Sequence, residues 1–397
     1  MAILSAQVQD YMSRSSWIRR MFEAGIELKK KFGADNVCDF SLGNPDLPPP
    51  ACVCQGLREI ADEADTPFAF GYMPNFGYPH VREALAKEVS REQGVAVDPA
   101  SLVITCGAAG AINAFYRAVI EPGDEVLCPS PYFVEYGFYV ENHGGKLTTA
   151  PARPGTFDLD VDALEAAITD KTRVLLINSP NNPTGVVYPK ETLVALCEML
   201  KRKSAGRARP IFLLADEPYR FLAFDGAEVP SLLPLYPHTV VVSSFSKNLS
   251  LAGARVGYAL VNPAMPERDE LVGGIILANR ILGFVNAPAL AQKLLAKALG
   301  SQVDVNIYAA RRDAMKKVLD EAGYSYPMPR GAFYFFPQAP GGDDVAFVSL
   351  LTEERILAVP GKGFGCPGHF RLAFCVGEDV INRSAEGFKR AMQRAKG

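Results

Sequence analysis

From about residue 51 to 285, short apolar runs alternate with longer helical patterns, and this alternation limits the possible folds more than any single motif does. The runs fall at 102–106, 125–128, 174–178, 211–215, 240–243 and 256–261, and the helical patterns between them at 109–120, 134–142, 161–168 and 190–201. Strands that are apolar throughout need cover on both faces. The alternation therefore predicts an α/β fold, with a large, mostly parallel sheet and helices on either side. A helical pattern at 11–31 and an extended stretch at 38–42 precede it, broken by Pro45 and Pro48 to Pro50. A long helical stretch at 287–322 follows, then short strands at 332–336, 356–359 and 370–375 and a helical close at 378–395. The expectation is a large domain at 46–285 and a smaller α+β domain built from 1–45 plus 286–397.

Composition narrows the function classes. The formal net charge of −3 has no basic block behind it, which argues against nucleic acid or an anionic membrane as the main partner. The eight cysteines lack paired spacing and the four histidines are dispersed, so neither a disulfide framework nor a metal site is expected. With no signal-like start and no spanning apolar stretch, the cytoplasm is the expected location.

In open α/β sheets, ligands sit off the carboxyl ends of the strands, and the polar motifs of this chain fall there repeatedly. After Thr239-Val240-Val241-Val242-Ser243 comes Ser244-Phe245-Ser246-Lys247, with Arg255 eight residues on. A lysine where a buried strand ends loses its proton readily and acts as an amine. Ser244, Ser246 and the planar fork of Arg255 suit a phosphate, and together with such an amine they suggest a Schiff base to pyridoxal phosphate. After 211–215, Asp216 lies where a carboxylate is costly unless paired; a protonated pyridine nitrogen is a suitable partner, with Tyr219 in reach of the ring hydroxyl. Asn182 stands in the rigid turn Asn181-Asn182-Pro183-Thr184-Gly185. Ala108 and Ala109 open a helix whose free amides favour an anion, and Phe133 follows a strand where an aromatic ring can stack on a planar group. Arg371, inside the apolar run Phe370-Arg371-Leu372-Ala373-Phe374, needs an anion such as a substrate carboxylate. Each motif has a plainer alternative: a surface loop, an Asx turn, tight packing, a core aromatic or a structural ion pair.

In this order the motifs resemble the class I/II aminotransferases, the fold-type I pyridoxal-phosphate enzymes. The resemblance rests on Gly43-Asn44-Pro45-Asp46, Tyr72 through Gly77, Gly107-Ala108-Ala109, Asn182-Pro183-Thr184-Gly185, Asp216-Glu217-Pro218-Tyr219, Ser244-Phe245-Ser246-Lys247 with Arg255, and Phe370-Arg371. It implies that Lys247 carries the cofactor and moves the substrate proton, and that Asp216 pairs with the ring nitrogen. Tyr219 and Asn182 would bond the ring oxygen, and Phe133 would stack on the ring. Ser244, Arg255 and the amides of Ala108 and Ala109 would hold the phosphate. Tyr72 would reach the phosphate of a neighbouring subunit, giving a homodimer with shared active sites, while Arg371, Asn182 and the Gly43 backbone would bind the substrate carboxylate. The implied reaction is ping-pong transfer of an amino group from an L-amino acid to a 2-oxo acid, commonly 2-oxoglutarate. The donor would be of aspartate or aromatic type. Ala109 departs from relatives that carry a polar or basic residue there, and Arg280 is a candidate for a distal carboxylate, against a surface role. Two other functions remain open: a carbon–sulfur β-lyase on the same scaffold, and a non-catalytic cofactor-sensing domain of a regulator.

Overall fold

The computed structural model describes residues 3–13 and 17–396. In chain order its strands are β1 (Cys38–Asp39), β2 (Leu102–Thr105), β3 (Glu125–Ser130), β4 (Lys146–Pro151), β5 (Thr172–Asn178), β6 (Phe212–Asp216), β7 (Thr239–Ser244), β8 (Gly257–Val261), β9 (Tyr334–Phe335), β10 (Ile356–Leu357), β11 (Val359–Pro360) and β12 (Phe370–Ala373). A seven-stranded sheet runs β2-β8-β7-β6-β5-β3-β4. Its pairs are parallel except those of β8, which lies antiparallel to both neighbours. Alternate side chains leave a strand on opposite faces. Leu175, Ile177, Leu213, Ala215 and Val241 accordingly join one core, while Val174, Leu176, Phe212, Leu214, Val240 and Val242 join the other. Each such aliphatic side chain, fully buried, contributes about 1.5–3 kcal/mol. That continuous burial explains why these strands stand out in the sequence as unbroken apolar runs.

A third core gathers Tyr308, Met315 and Leu319 from helix Val305–Ala322 with Phe333, Phe335, Leu372 and Phe374, and it includes Cys38 and Phe40 from the N-terminal segment. There β1 pairs in parallel with β10, and β12 lies antiparallel between β11 and β9. Cys38 and Phe40 of the N-terminal segment thus pack in the same core as the C-terminal part.

Two expectations need correction. The stretch 287–322 is not one helix but two, Ala289–Ala298 and Val305–Ala322. They are separated at Gly300, with φ +83°, and at Asp304, whose side chain caps the second helix by accepting from the Asn306 amide. The first helix packs on Ala51–Asp62 and Pro79–Gln93, with Ala291, Leu294 and Leu295 in the large-sheet core. A boundary at 285 assigns it to the smaller domain, whereas its packing joins it to the larger one. The pattern at 11–31 falls on helices Ala6–Ser13 and Trp17–Phe32, with residues 14–16 outside the described residues.

Candidate active site

Helix Gly107–Val119 and strands β3, β5, β6 and β7 end around one cleft of about 340 Å³. Gly43, Ala108, Ala109, Phe133, Asn182, Asp216, Tyr219, Ser244, Ser246, Lys247, Arg255 and Arg371 all line it, so twelve of the fourteen residues singled out from the sequence meet in one place. Tyr72 does not: it is 95% exposed, away from the cleft of its own chain. Arg280 is exposed on helix Arg268–Ile281 and also lies outside the cleft.

Lys247 follows directly from the end of β7, and its Nζ donates to the Gly43 carbonyl at 2.6 Å. It stands 5.9 Å from the Tyr219 ring centroid and 5.4 Å from that of Phe333. Burial lowers its pKa to about 8; Arg371 and Arg255 act in the same direction, and Cys375 opposes them. Near neutral pH a minor fraction of this lysine, far more than for an ordinary lysine, is therefore amine, as a nucleophile or base requires.

Asp216 ends β6 and is only 7% exposed. Tyr136 donates to its Oδ2 at 2.5 Å, while Oδ1 is buried without a partner. Burial pushes its pKa up to about 7; the Tyr136 bond lowers it and Glu217 adds to the rise. Glu217 itself is a structural acid, bound by Arg220 at 3.0 Å and by Gln93 at 2.8 Å.

Arg371 lies in β12 at 2% exposure. It donates to Asn182 Oδ1 at 3.0 Å and to the Ser41 carbonyl at 2.6 Å, and its Nε is buried without a partner. The guanidinium lies 4.8 Å from the ring centroids of both Tyr334 and Phe364, and among the described residues no carboxylate pairs with it. Asn182 is held in turn by Asn178, whose Oδ1 accepts the Asn182 amide at 2.7 Å and whose Nδ2 donates to the Asp216 carbonyl at 2.8 Å.

At the other end of the cleft, Arg255 takes a left-handed φ of +53° and donates to the Ala252 carbonyl at 3.1 Å. Its guanidinium approaches Gly107 so closely that a Cβ there would stand 3.0 Å from Nη2. Ser244, Ser246, the Arg255 fork and the first amides of helix Gly107–Val119 thus share one corner, a good seat for a phosphate.

The sequence reading missed Tyr136, Asn178 and Tyr334. Tyr334 shares a 2.7 Å hydrogen bond between its hydroxyl and that of Tyr219. A Cβ on Gly43 would come within 2.1 Å of the same Tyr334 oxygen, so only glycine fits at that position. Tyr136 had a legible signal, because Phe133, Tyr136 and Tyr139 recur at helical spacing and all three line the cleft.

A buried lysine of lowered pKa, a phosphate corner, a buried acid and a buried arginine define an enzyme class that works on amino acids through a lysine-bound aldehyde cofactor. Residues 35–388 match the family described as aminotransferase class I and II. The aspartate/prephenate aminotransferase of Thermus thermophilus is 32% identical over 377 residues, covering 93% of this chain and 94% of that protein. An amino transferase structure from Eubacterium rectale aligns at a TM-score of 0.95 and 37% identity, covering 100% of both chains. The aspartate aminotransferase from Thermus thermophilus with maleate aligns at 0.88 and 30%, covering 98% of this chain and 100% of that one. The chain belongs to the class I and II aminotransferases, whose cofactor is pyridoxal phosphate. The cleft suits that group: Asp216 Oδ1 lacks a proton donor, and the corner at Gly107 and Arg255 suits an anion.

Proposed function

We propose that this aminotransferase moves an amino group from an L-amino acid with an uncharged, aromatic-tolerant side chain to a 2-oxo acid, with 2-oxoglutarate as the acceptor. The reading rests on two orphaned buried atoms of opposite character, Asp216 Oδ1 and Arg371 Nε, lining the same cleft as Lys247. One calls for a proton donor on a ring and the other for a carboxylate.

In this reading Ser244, Ser246, Arg255 and the amides of Ala108 and Ala109 hold the cofactor's phosphate, and Phe133 covers its ring. Tyr219 and Asn182 serve the ring oxygen. Asp216 Oδ1 keeps a proton on the ring nitrogen. Bound pyridoxal phosphate supplies an electron-withdrawing ring that stabilises negative charge at the substrate α-carbon. Arg371 orients the substrate by its α-carboxylate, which places the α-hydrogen toward Lys247. Lys247 Nζ, neutral above about pH 8, would accept that proton and deliver it to the cofactor's C4′ carbon within the same half-reaction.

The donor class follows from charge. The described cations lining the cleft are Lys247, Arg255 and Arg371, and each already has a task. Ala109 adds none, so a distal carboxylate would depend on a cation from a second chain. Relatives named for aspartate/prephenate and for aromatic amino acids frame these two options. A homodimer is supported by the exposed Tyr72, which shares a surface cleft with Phe70 and Phe284, and by Leu277 and Ile281, also exposed, on the helix preceding Phe284. A cytoplasmic setting agrees with eight free cysteines. Among the described residues, no helix is long and apolar enough to cross a membrane.

The test is a half-reaction screen in which holoenzyme meets each amino acid alone, read by loss of the cofactor's visible band and formation of the matching 2-oxo acid. Phenylalanine or tyrosine reacting faster than aspartate is the expected result, and the reverse order would overturn the donor assignment. The lyase alternative predicts pyruvate from cystathionine, and no observation favours it or the regulator alternative.

A further inference from the structure

The two oxygens of Asp216 are treated differently. Oδ2 receives the Tyr136 hydroxyl at 2.5 Å, while Oδ1 is left alone. Tyr136 is buried on helix Glu135–Glu141, and its ring stands edge-on to Phe133, with centroids 5.5 Å apart and planes at 86°. One side chain thus touches both the acid assigned to the ring nitrogen and the aromatic assigned to the ring face. Other groups near the carboxyl are Tyr116 on helix Gly107–Val119, Cys128 on β3, Tyr139 further along the Tyr136 helix, and Glu217 next in the chain. Glu217 is taken up by Arg220 and Gln93, and the buried Tyr116 hydroxyl bonds to nothing. Among the described residues, Tyr136 is the side chain that donates to this carboxylate.

We propose that Tyr136 is a positioning residue for transamination: its hydroxyl pins Oδ2, keeps Asp216 ionised and leaves Oδ1 as the atom that serves the cofactor's ring nitrogen. This inference rests on the assignment of Asp216 to that nitrogen. A buried carboxylate tends to take up a proton, and a hydrogen bond to its charged form opposes that tendency. A neutral acid at Asp216 does not hold the ring nitrogen protonated. Loss of the Tyr136 hydroxyl therefore weakens the withdrawal of electrons from the substrate α-carbon and leaves the substrate clamp at Arg371 intact. The sign follows directly. Without the bond Asp216 protonates at higher pH, so the acid limb of activity moves upward.

The experiment compares Tyr136→Phe holoenzyme with the parent. Expected are a fall in kcat of about 10–100-fold, as for lost outer partners of catalytic groups, with KM for the amino donor changed by less than about threefold. The acid limbs of the pH–rate profile and of the bound cofactor's absorbance titration should both move to higher pH. Tyr116→Phe is the matched control, since it removes a neighbouring hydroxyl that bonds nothing and should leave both titrations in place. Should Tyr136→Phe fail to fold, 3-fluorotyrosine at this position keeps the shape but donates more strongly, and should move the absorbance limb to lower pH. An unshifted titration in either Tyr136 variant, or an equal shift in Tyr116→Phe, would overturn the proposal. Asp216→Asn separates the two levels. If Asp216→Asn is silent, the assignment of Asp216 fails; if it stops turnover while Tyr136→Phe is silent, only the role of Tyr136 fails.

Discussion

Lys247 and Gly43 show how much a single position can carry. Capture of the cofactor aldehyde by apoprotein needs the neutral amine of Lys247, which is mostly ammonium below its pKa of about 8. The capture rate should therefore climb with pH and level off above about 8, measured by stopped-flow absorbance. A flat profile from pH 6 to 9 would contradict the assignment. Lys247→Ala should lower kcat by at least about 10²–10⁴-fold, the usual worth of a positioned proton-transfer group. At Gly43 the reason is space: the Cβ of Gly43→Ala would lie 2.1 Å from the Tyr334 oxygen. Overpacking of this kind costs about 1–3 kcal/mol, and here it displaces Tyr334 from Tyr219 and from the ring contact with Arg371. The expected outcome is a higher KM for every amino donor, checked by steady-state kinetics across several donors.

Among the elements, the antiparallel strand β8 brings Gly257 against the start of helix Gly107–Val119. A Cβ on Gly257 would sit 2.4 Å from the Ser243 carbonyl oxygen and 2.7 Å from the Gly107 carbonyl carbon. Gly257→Ala should push the helix start away from Arg255 and weaken cofactor retention, measured as faster loss of the visible band on dilution. Legibility in the sequence also varied by element. β5, β6 and β7 were plain because both their faces are covered. β4 was missed because it is an edge strand, with Thr148 and Thr149 interrupting any apolar run. The break at Gly300 and Asp304 was written in turn and capping residues, but the apolar spacing on either side hid it. Lys247, Asp216, Asn182 and Arg371 were readable as polar groups set beside or inside apolar runs. Tyr334 was not, because buried aromatics look alike whether they fill a core or present a hydroxyl to a cleft, and Tyr136 was legible only through its helical spacing with Phe133 and Tyr139.

Taken as a whole, the molecule has a core on each face of the large sheet and another around helix Val305–Ala322, and we place the division after helix Ala289–Ala298 rather than before it. The residues proposed to hold the cofactor come mostly from the large sheet, and the arginine proposed for the substrate comes from β12. Cofactor bound to the native state alone raises the unfolding free energy by about 2.7 kcal/mol at a hundredfold excess over Kd. Its removal should therefore lower the thermal midpoint, which scanning calorimetry reads. If Tyr72 serves a second chain, Tyr72→Phe should loosen cofactor binding while sedimentation still reports a dimer. A monomeric parent protein would refute that assignment.

The carbonyls of Ser41 and Gly43 already engage Arg371 and Lys247. A carboxylate arriving at Arg371 meets an unpartnered Nε and competes with the Ser41 carbonyl for Nη2, so part of its binding is an exchange of partners. Exchange yields little net affinity per contact, but it keeps the Arg371 fork aligned between turnovers and eases departure. An enzyme that must release an oxo acid midway and admit another through the same door gains speed from such loose occupancy. The segment just after β1 thereby lends Arg371 a carbonyl partner against which each substrate carboxylate competes.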